Sequence, residues 1–136
     1  GAVFESTFAG ISSNGVGQVA FTAVFSGTGV DATNDLGLFV ANALGDLDLI
    51  LRKGDLFDVD ASPATDLRVI ADIRLAGGSA LLDGRSSAFN DDGLLALLLH
   101  FTDGTAAVAT ASIPIPAPGS LVLLGIGGLM AGRRRR

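Results

Sequence analysis

The chain has 136 residues, 49% of them hydrophobic, with no cysteine and a formal charge of −5. Four of its nine basic residues form the terminal arginine block, so the preceding body sets five bases against 14 acids and offers nucleic acid no basic surface. The absence of cysteine rules out disulfides, thiolate metal sites and a cysteine nucleophile, and with Phe as the sole aromatic type the surface lacks the amphipathic Tyr and Trp of many partner sites.

Taken in order, Val3 to Ala9 is a short apolar-rich strand, and Asn14-Gly15-Val16-Gly17 is a turn with residues suited to left-handed backbone. Gln18 to Phe25 is rich in β-branched and aromatic residues and reads as a strand, closed by Ser26-Gly27-Thr28-Gly29. After the acidic loop Asp31 to Asp35 come two further predicted strands, Gly37 to Ala41 and Leu47 to Arg52, separated by a turn at Gly45-Asp46. Asp58 to Asp66, with Pro63 and several aspartates, is expected to be loop. Leu67 to Leu75 alternates well enough for a strand, although a short helix would also fit. Leu94 to Phe101 and Ala106 to Ile113 form a terminal hairpin across Thr102 to Thr105. Seven or eight short strands with turns between them predict an all-β, antiparallel body.

Two stretches of that body match at an offset of 76 residues. Asn14, Gly17, Ala20 and Phe21 align with Asn90, Gly93, Ala96 and Leu97, and Phe25 falls opposite Phe101. Fixed-period similarity indicates repeated supersecondary units. The motif resembles the Asn-x-x-Gly-x-x-x-Ala-Phe tandem repeats of bacterial surface proteins that carry interchangeable C-terminal anchors. Here the spacing is one residue shorter, and Leu97 stands for Phe in the second copy. The resemblance implies four-stranded units in a propeller-like, sandwich-like or solenoid array, with copies around residues 14–57 and 90–113 of a body spanning 1–113, and no enzymatic activity.

Pro114 to Arg136 has three physically different parts. A proline-rich tether, including Pro116, Ala117 and Pro118, cannot be a helix interior. An uncharged stretch follows, with Leu121, Val122, Leu123, Leu124, Ile126, Leu129 and Met130 as its large apolar residues. Arg133, Arg134, Arg135 and Arg136 complete it as a stop-transfer block. Gly119 to Gly132 is 14 residues, about 21 Å as a helix at 1.5 Å per residue, short of a bilayer core unless arginines snorkel or the bilayer thins. A buried C-terminal helix or strand is the alternative, which four consecutive arginines fit badly. The order of parts resembles the PEP-CTERM sorting signal of Gram-negative bacteria, with Ala117 in place of the central Glu. That resemblance implies a C-terminal hydrophobic membrane helix, recognition by an exosortase-like protease, cleavage near the proline motif, and release of the body from the inner membrane to the cell surface or exterior.

Residues that could carry chemistry are few. His100, the only histidine, lies within a predicted strand and reads as a strand-face residue. There is no Gly-x-Ser-x-Gly nucleophile elbow, and zinc would need ligands the chain lacks. Acidic loops around Asp31-Asp35, Asp58-Asp66 and Asn90-Asp92 could in principle hold structural calcium, but none has the helix–loop–helix pattern, and such turns are usually solvated. No cofactor, no catalytic or metal residue and no nucleic-acid partner is expected. The chain opens at Gly1 without a signal peptide, so an exported protein would be longer than this sequence. The expectation is an exported surface or matrix protein of non-enzymatic kind, its surface partner unspecified. The alternative is the C-terminal part of a secreted hydrolase or carbohydrate-binding protein whose active domain lies elsewhere in the chain.

Overall fold

The computed structural model describes residues 1–60, 63–76 and 87–116. Eight strands run through them: β1 (Val3–Ser13), β2 (Val19–Ser26), β3 (Leu36–Ala41), β4 (Leu47–Arg52), β5 (Leu56–Asp58), β6 (Leu67–Leu75), β7 (Leu94–Phe101) and β8 (Ala106–Ser112). They pair as two antiparallel four-stranded meanders, in the orders β1-β2-β3-β4 and β5-β6-β7-β8. The all-β, antiparallel expectation is met. No helix among the described residues is long and apolar enough to cross a membrane. The apolar stretch assigned that role from sequence, with Ala117, Pro118 and the arginine block, lies outside the described residues.

Two boundaries differ from the sequence reading. β1 continues past Ala9 to Ser13, accommodating register shifts between Phe4 and Phe8 and between Ala9 and Ile11. Bulges of this kind break simple alternation and so conceal a strand's length. Asp58, expected at the start of a loop, instead ends β5 and pairs with Leu67. The cause is a corner that carries the chain from one sheet to the other. Lys53 N–H donates to Leu36 O at 2.9 Å in the first sheet, and Gly54 N–H then donates to Ile70 O at 2.8 Å in the second. Ile70 N–H returns a bond to Asp55 O at 2.9 Å, so the backbone changes sheets with its polar groups paired and β5 extends that ladder.

The larger core cluster lies between the sheets, and a smaller one, Ala23, Phe25 and Phe39, lies on the other face of the first sheet. Side chains directly opposite one another on paired strands share a face. Ala20, Leu38 and Val40 of the first sheet join Ile70, Ile73, Leu95, Leu97, Leu99 and Phe101 of the second in one buried cluster. Leu95, Leu97 and Leu99 stand opposite Ala111, Ala109 and Ala107 on β8, so a row of large residues meets a row of small ones. Each fully buried leucine contributes on the order of 1.5–3 kcal/mol by removal from water.

Candidate functional site

The two motif copies meet in space. Each forms the same turn: Gly17 N–H donates to Asn14 O and Asn14 N–H to Gln18 O, as Gly93 N–H donates to Asn90 O and Asn90 N–H to Leu94 O. Each asparagine side chain accepts the N–H four residues on, Gln18 at 2.9 Å and Leu94 at 2.8 Å. Gly17 and Gly93 both take the left-handed conformation, with φ of 84° and 80°. A type I turn closed by a left-handed residue is a favoured three-residue hairpin loop, and glycine adopts that last conformation without steric penalty.

The turns are also bonded to each other. Asn14 Nδ2 donates to Gln18 Oε1 at 2.9 Å and to Asn90 O at 3.0 Å, so the first-copy asparagine reaches the backbone of its counterpart. Gly15 N–H donates to Asp91 Oδ1 at 2.5 Å. Gln18 Nε2 then donates to Pro114 O at 2.9 Å, and Ile113 N–H to Gly93 O at 2.8 Å. The root of the tail is thereby fixed to both turns, and Pro114, Ile115 and Pro116 continue from it exposed to solvent. Asn14 and Gln18 are buried, whereas Asn90 is exposed.

The aligned strand residues point in matching directions rather than toward each other. Ala20 faces the core while its counterpart Ala96 lies on the outer face of the second sheet. Phe21 faces outward while Leu97 faces the core, 1% exposed. The two copies are therefore stacked in the same sense, with the outer face of the first sheet corresponding to the inner face of the second.

That outer face of the first sheet is apolar and aromatic. Phe4 pairs with Phe25, Phe8 with Ala23, and Ile11, Phe21, Phe39 and Leu49 form one row across four strands. Phe21 and Phe39 stack with centroids 5.7 Å apart, and Phe4 meets Phe39 edge-on at 4.8 Å. The Arg52 guanidinium lies 5.1 Å from the Phe25 ring centroid, a cation–π contact at the patch margin. Phe8, Ile11 and Leu49 remain 58%, 53% and 48% exposed, and a cavity of about 250 Å³ opens between Val3, Phe4, Phe39 and Leu49. Sequence reasoning missed this patch because Phe21, Ala23 and Phe25 form the more apolar side of β2, the side that alternation assigns to a core, whereas the side with Ala20 and Thr22 is the one that faces inward.

The acidic loops serve themselves. Asp31 Oδ1 accepts from Thr33 N–H and Oγ1, and Asp103 Oδ1 accepts from the same groups of Thr105. The threonine hydroxyl and then its amide hold each carboxyl below the ordinary aspartate value. Asp58 Oδ1 accepts the amides of Asp60 and Asp66. Among the described residues no three His, Asp or Glu side chains gather where a metal ion could sit. His100 lies on the outer face of the second sheet opposite Asp72, whose carboxylate accepts from Arg74 Nε at 2.7 Å. Its Nε2 is buried without a hydrogen-bond partner among the described residues.

The model of a family of unknown function, DUF7453, matches residues 1–122. The chain belongs to that family. The DUF7453 match covers both sheets, both asparagine turns and the proline tether. No curated protein and no solved structure matches the chain.

Proposed function

We propose that this DUF7453 chain is the β-repeat body of an exported, non-enzymatic surface or matrix protein, delivered by a cleavable C-terminal sorting tail. The observation that carries the proposal is the order of parts in Pro114 to Arg136: prolines, an uncharged apolar stretch, then four arginines. In this reading Leu121 to Gly132 enter the inner membrane, Arg133 to Arg136 stay on the cytoplasmic side, and the Pro116-Ala117-Pro118 region is presented to an exosortase-like protease. Exposure of Pro114 to Pro116 beyond the last strand supports it, since a protease needs extended, accessible chain. The two meanders would be propeller-like or sandwich-like units of a repeat.

The test is expression of the full-length protein in a host with an exosortase and in the same host without it, followed by intact mass and cell fractionation. Loss of the tail and export of the body only where the protease is present is the expected result. An uncleaved protein in the membrane fraction of both strains would overturn the sorting role and leave a permanent anchor.

A further inference from the structure

We infer that the phenylalanine face of the first sheet is a stacking surface for a second copy of this unit, seated head to tail. The inference rests on the repeat reading and adds the face, the partner and the direction of assembly. It follows from continuity with the interface inside the chain. There the inner face of the first sheet, bearing Ala20 and Leu38, packs on the inner face of the second, bearing Leu97 and Leu99. By the motif alignment the outer Phe21 face corresponds to the Leu97 face, and the outer Ala96 face corresponds to the Ala20 face. One copy thus presents the register counterparts of both halves of its internal contact, the half on the second sheet also carrying the Asp72–Arg74 ion pair. Placing the Ala96 face of one copy against the Phe21 face of another repeats that contact in the same direction.

The turns give an independent second sign of direction. Asn14 is buried, and its amide reaches the carbonyl of Asn90. Asn90, its counterpart, uses its side-chain oxygen within its own turn, while its Nδ2 has no partner among the described residues. A copy stacked on the second sheet would present its own asparagine carbonyl there and extend the pairing by one step. A monomer would keep Phe4, Phe8, Ile11 and Leu49 in water as neighbouring apolar side chains on this face, and exposed apolar patches mark interaction surfaces. Head-to-tail contacts of this type use two different surfaces and therefore build rings or open stacks rather than two-fold dimers.

The absence of native cysteine makes the orientation measurable. Full chains carrying Phe8→Cys with one tag, and Val108→Cys or Leu94→Cys with another, are mixed in mild detergent and oxidised. Phe8 lies on the aromatic face, and Val108 and Leu94 are 77% and 46% exposed on the outer side of the second sheet. Mixed disulfides in clear excess over either homodimer are expected. Leu49→Asp in the Phe8→Cys chain should cut that yield about tenfold or more while the circular dichroism of the fold persists. Dominant Phe8→Cys homodimers would mean two-fold pairing and overturn the inference, as would monomers without cross-links. Binding to lipid vesicles that Leu49→Asp abolishes, with no mixed disulfide, would assign the face to membrane and overturn it too. Failure of tail cleavage in the sorting assay leaves all these outcomes unaffected, because the cross-link reports which sheet faces meet.

Discussion

Gly93→Ala tests the close approach of the tail root to the second asparagine turn. A Cβ on Gly93 would stand 2.3 Å from Ile113 O, whereas ordinary contact begins near 3.4 Å, so the segment with Ile113, just past β8, must retreat by about 1 Å. That retreat stretches the 2.8 Å bond from Ile113 N–H to Gly93 O and loosens Ile113, a core residue 7% exposed. Gly104 provides the matched control. It has nearly the same backbone, φ of 83° against 80°, yet nothing lies within 4 Å of its Cβ position. Gly104→Ala should therefore show the left-handed strain alone, about 1–2 kcal/mol. Gly93→Ala should add a hydrogen bond worth about 1 kcal/mol and packing loss of similar size, for a total of about 3–4 kcal/mol. Urea unfolding of the full chain with each substitution gives both values from midpoint shifts at unchanged slope. Equal losses at the two glycines would refute the close approach of Ile113 and the argument built on it.

The two motif asparagines should differ. Asn14→Ala strips buried Gln18 N–H and Oε1 of their side-chain partners and removes the amide bond to Asn90 O, and should cost about 2–3 kcal/mol, while exposed Asn90→Ala loses only local turn bonds and should cost about 1 kcal/mol, both read by urea unfolding. Asp103 links stability to acid. Its folded carboxyl is held below the ordinary aspartate value, first by the Thr105 hydroxyl, so its stabilisation is full above about pH 3.9 and lost as pH falls through the folded value. Thermal melts of the parent and Asp103→Asn should differ at neutral pH and converge in acid; a gap independent of pH would contradict this.

Much of the strand order was legible in the chain. Leu47–Arg52, Leu67–Leu75 and Leu94–Phe101 are bounded by glycine, aspartate or asparagine turns, and there local residues set the ends. β5 was hidden because three residues beside an acidic stretch carry no period, and its pairing depends on the corner at Gly54. The turn read at Gly45-Asp46 is a third of the Asn-x-x-Gly kind, Asn42 to Gly45 with Gly45 N–H on Asn42 O, and only its likeness to the motif escaped, because no Ala-Phe follows it. The candidate site was legible as a sequence repeat but not as a contact. An offset of 76 residues cannot say that Asn14 would touch Asn90, because that depends on how the two sheets stack. The aromatic face was concealed by β2 itself, because its Phe21, Ala23 and Phe25 side is more apolar than the Ala20 and Thr22 side that packs inward.

The bond from Gln18 to Pro114 spans 96 residues of sequence and joins the exit point of the chain to the turn that opens β2. Tension arriving from the C-terminal side would not fall first on β8 alone. It would divide at Ile113 and Pro114 between the two asparagine turns, one leading into each sheet. The edge strand that would otherwise peel away first is thus clamped where the load enters, and mechanical failure requires both turns to let go.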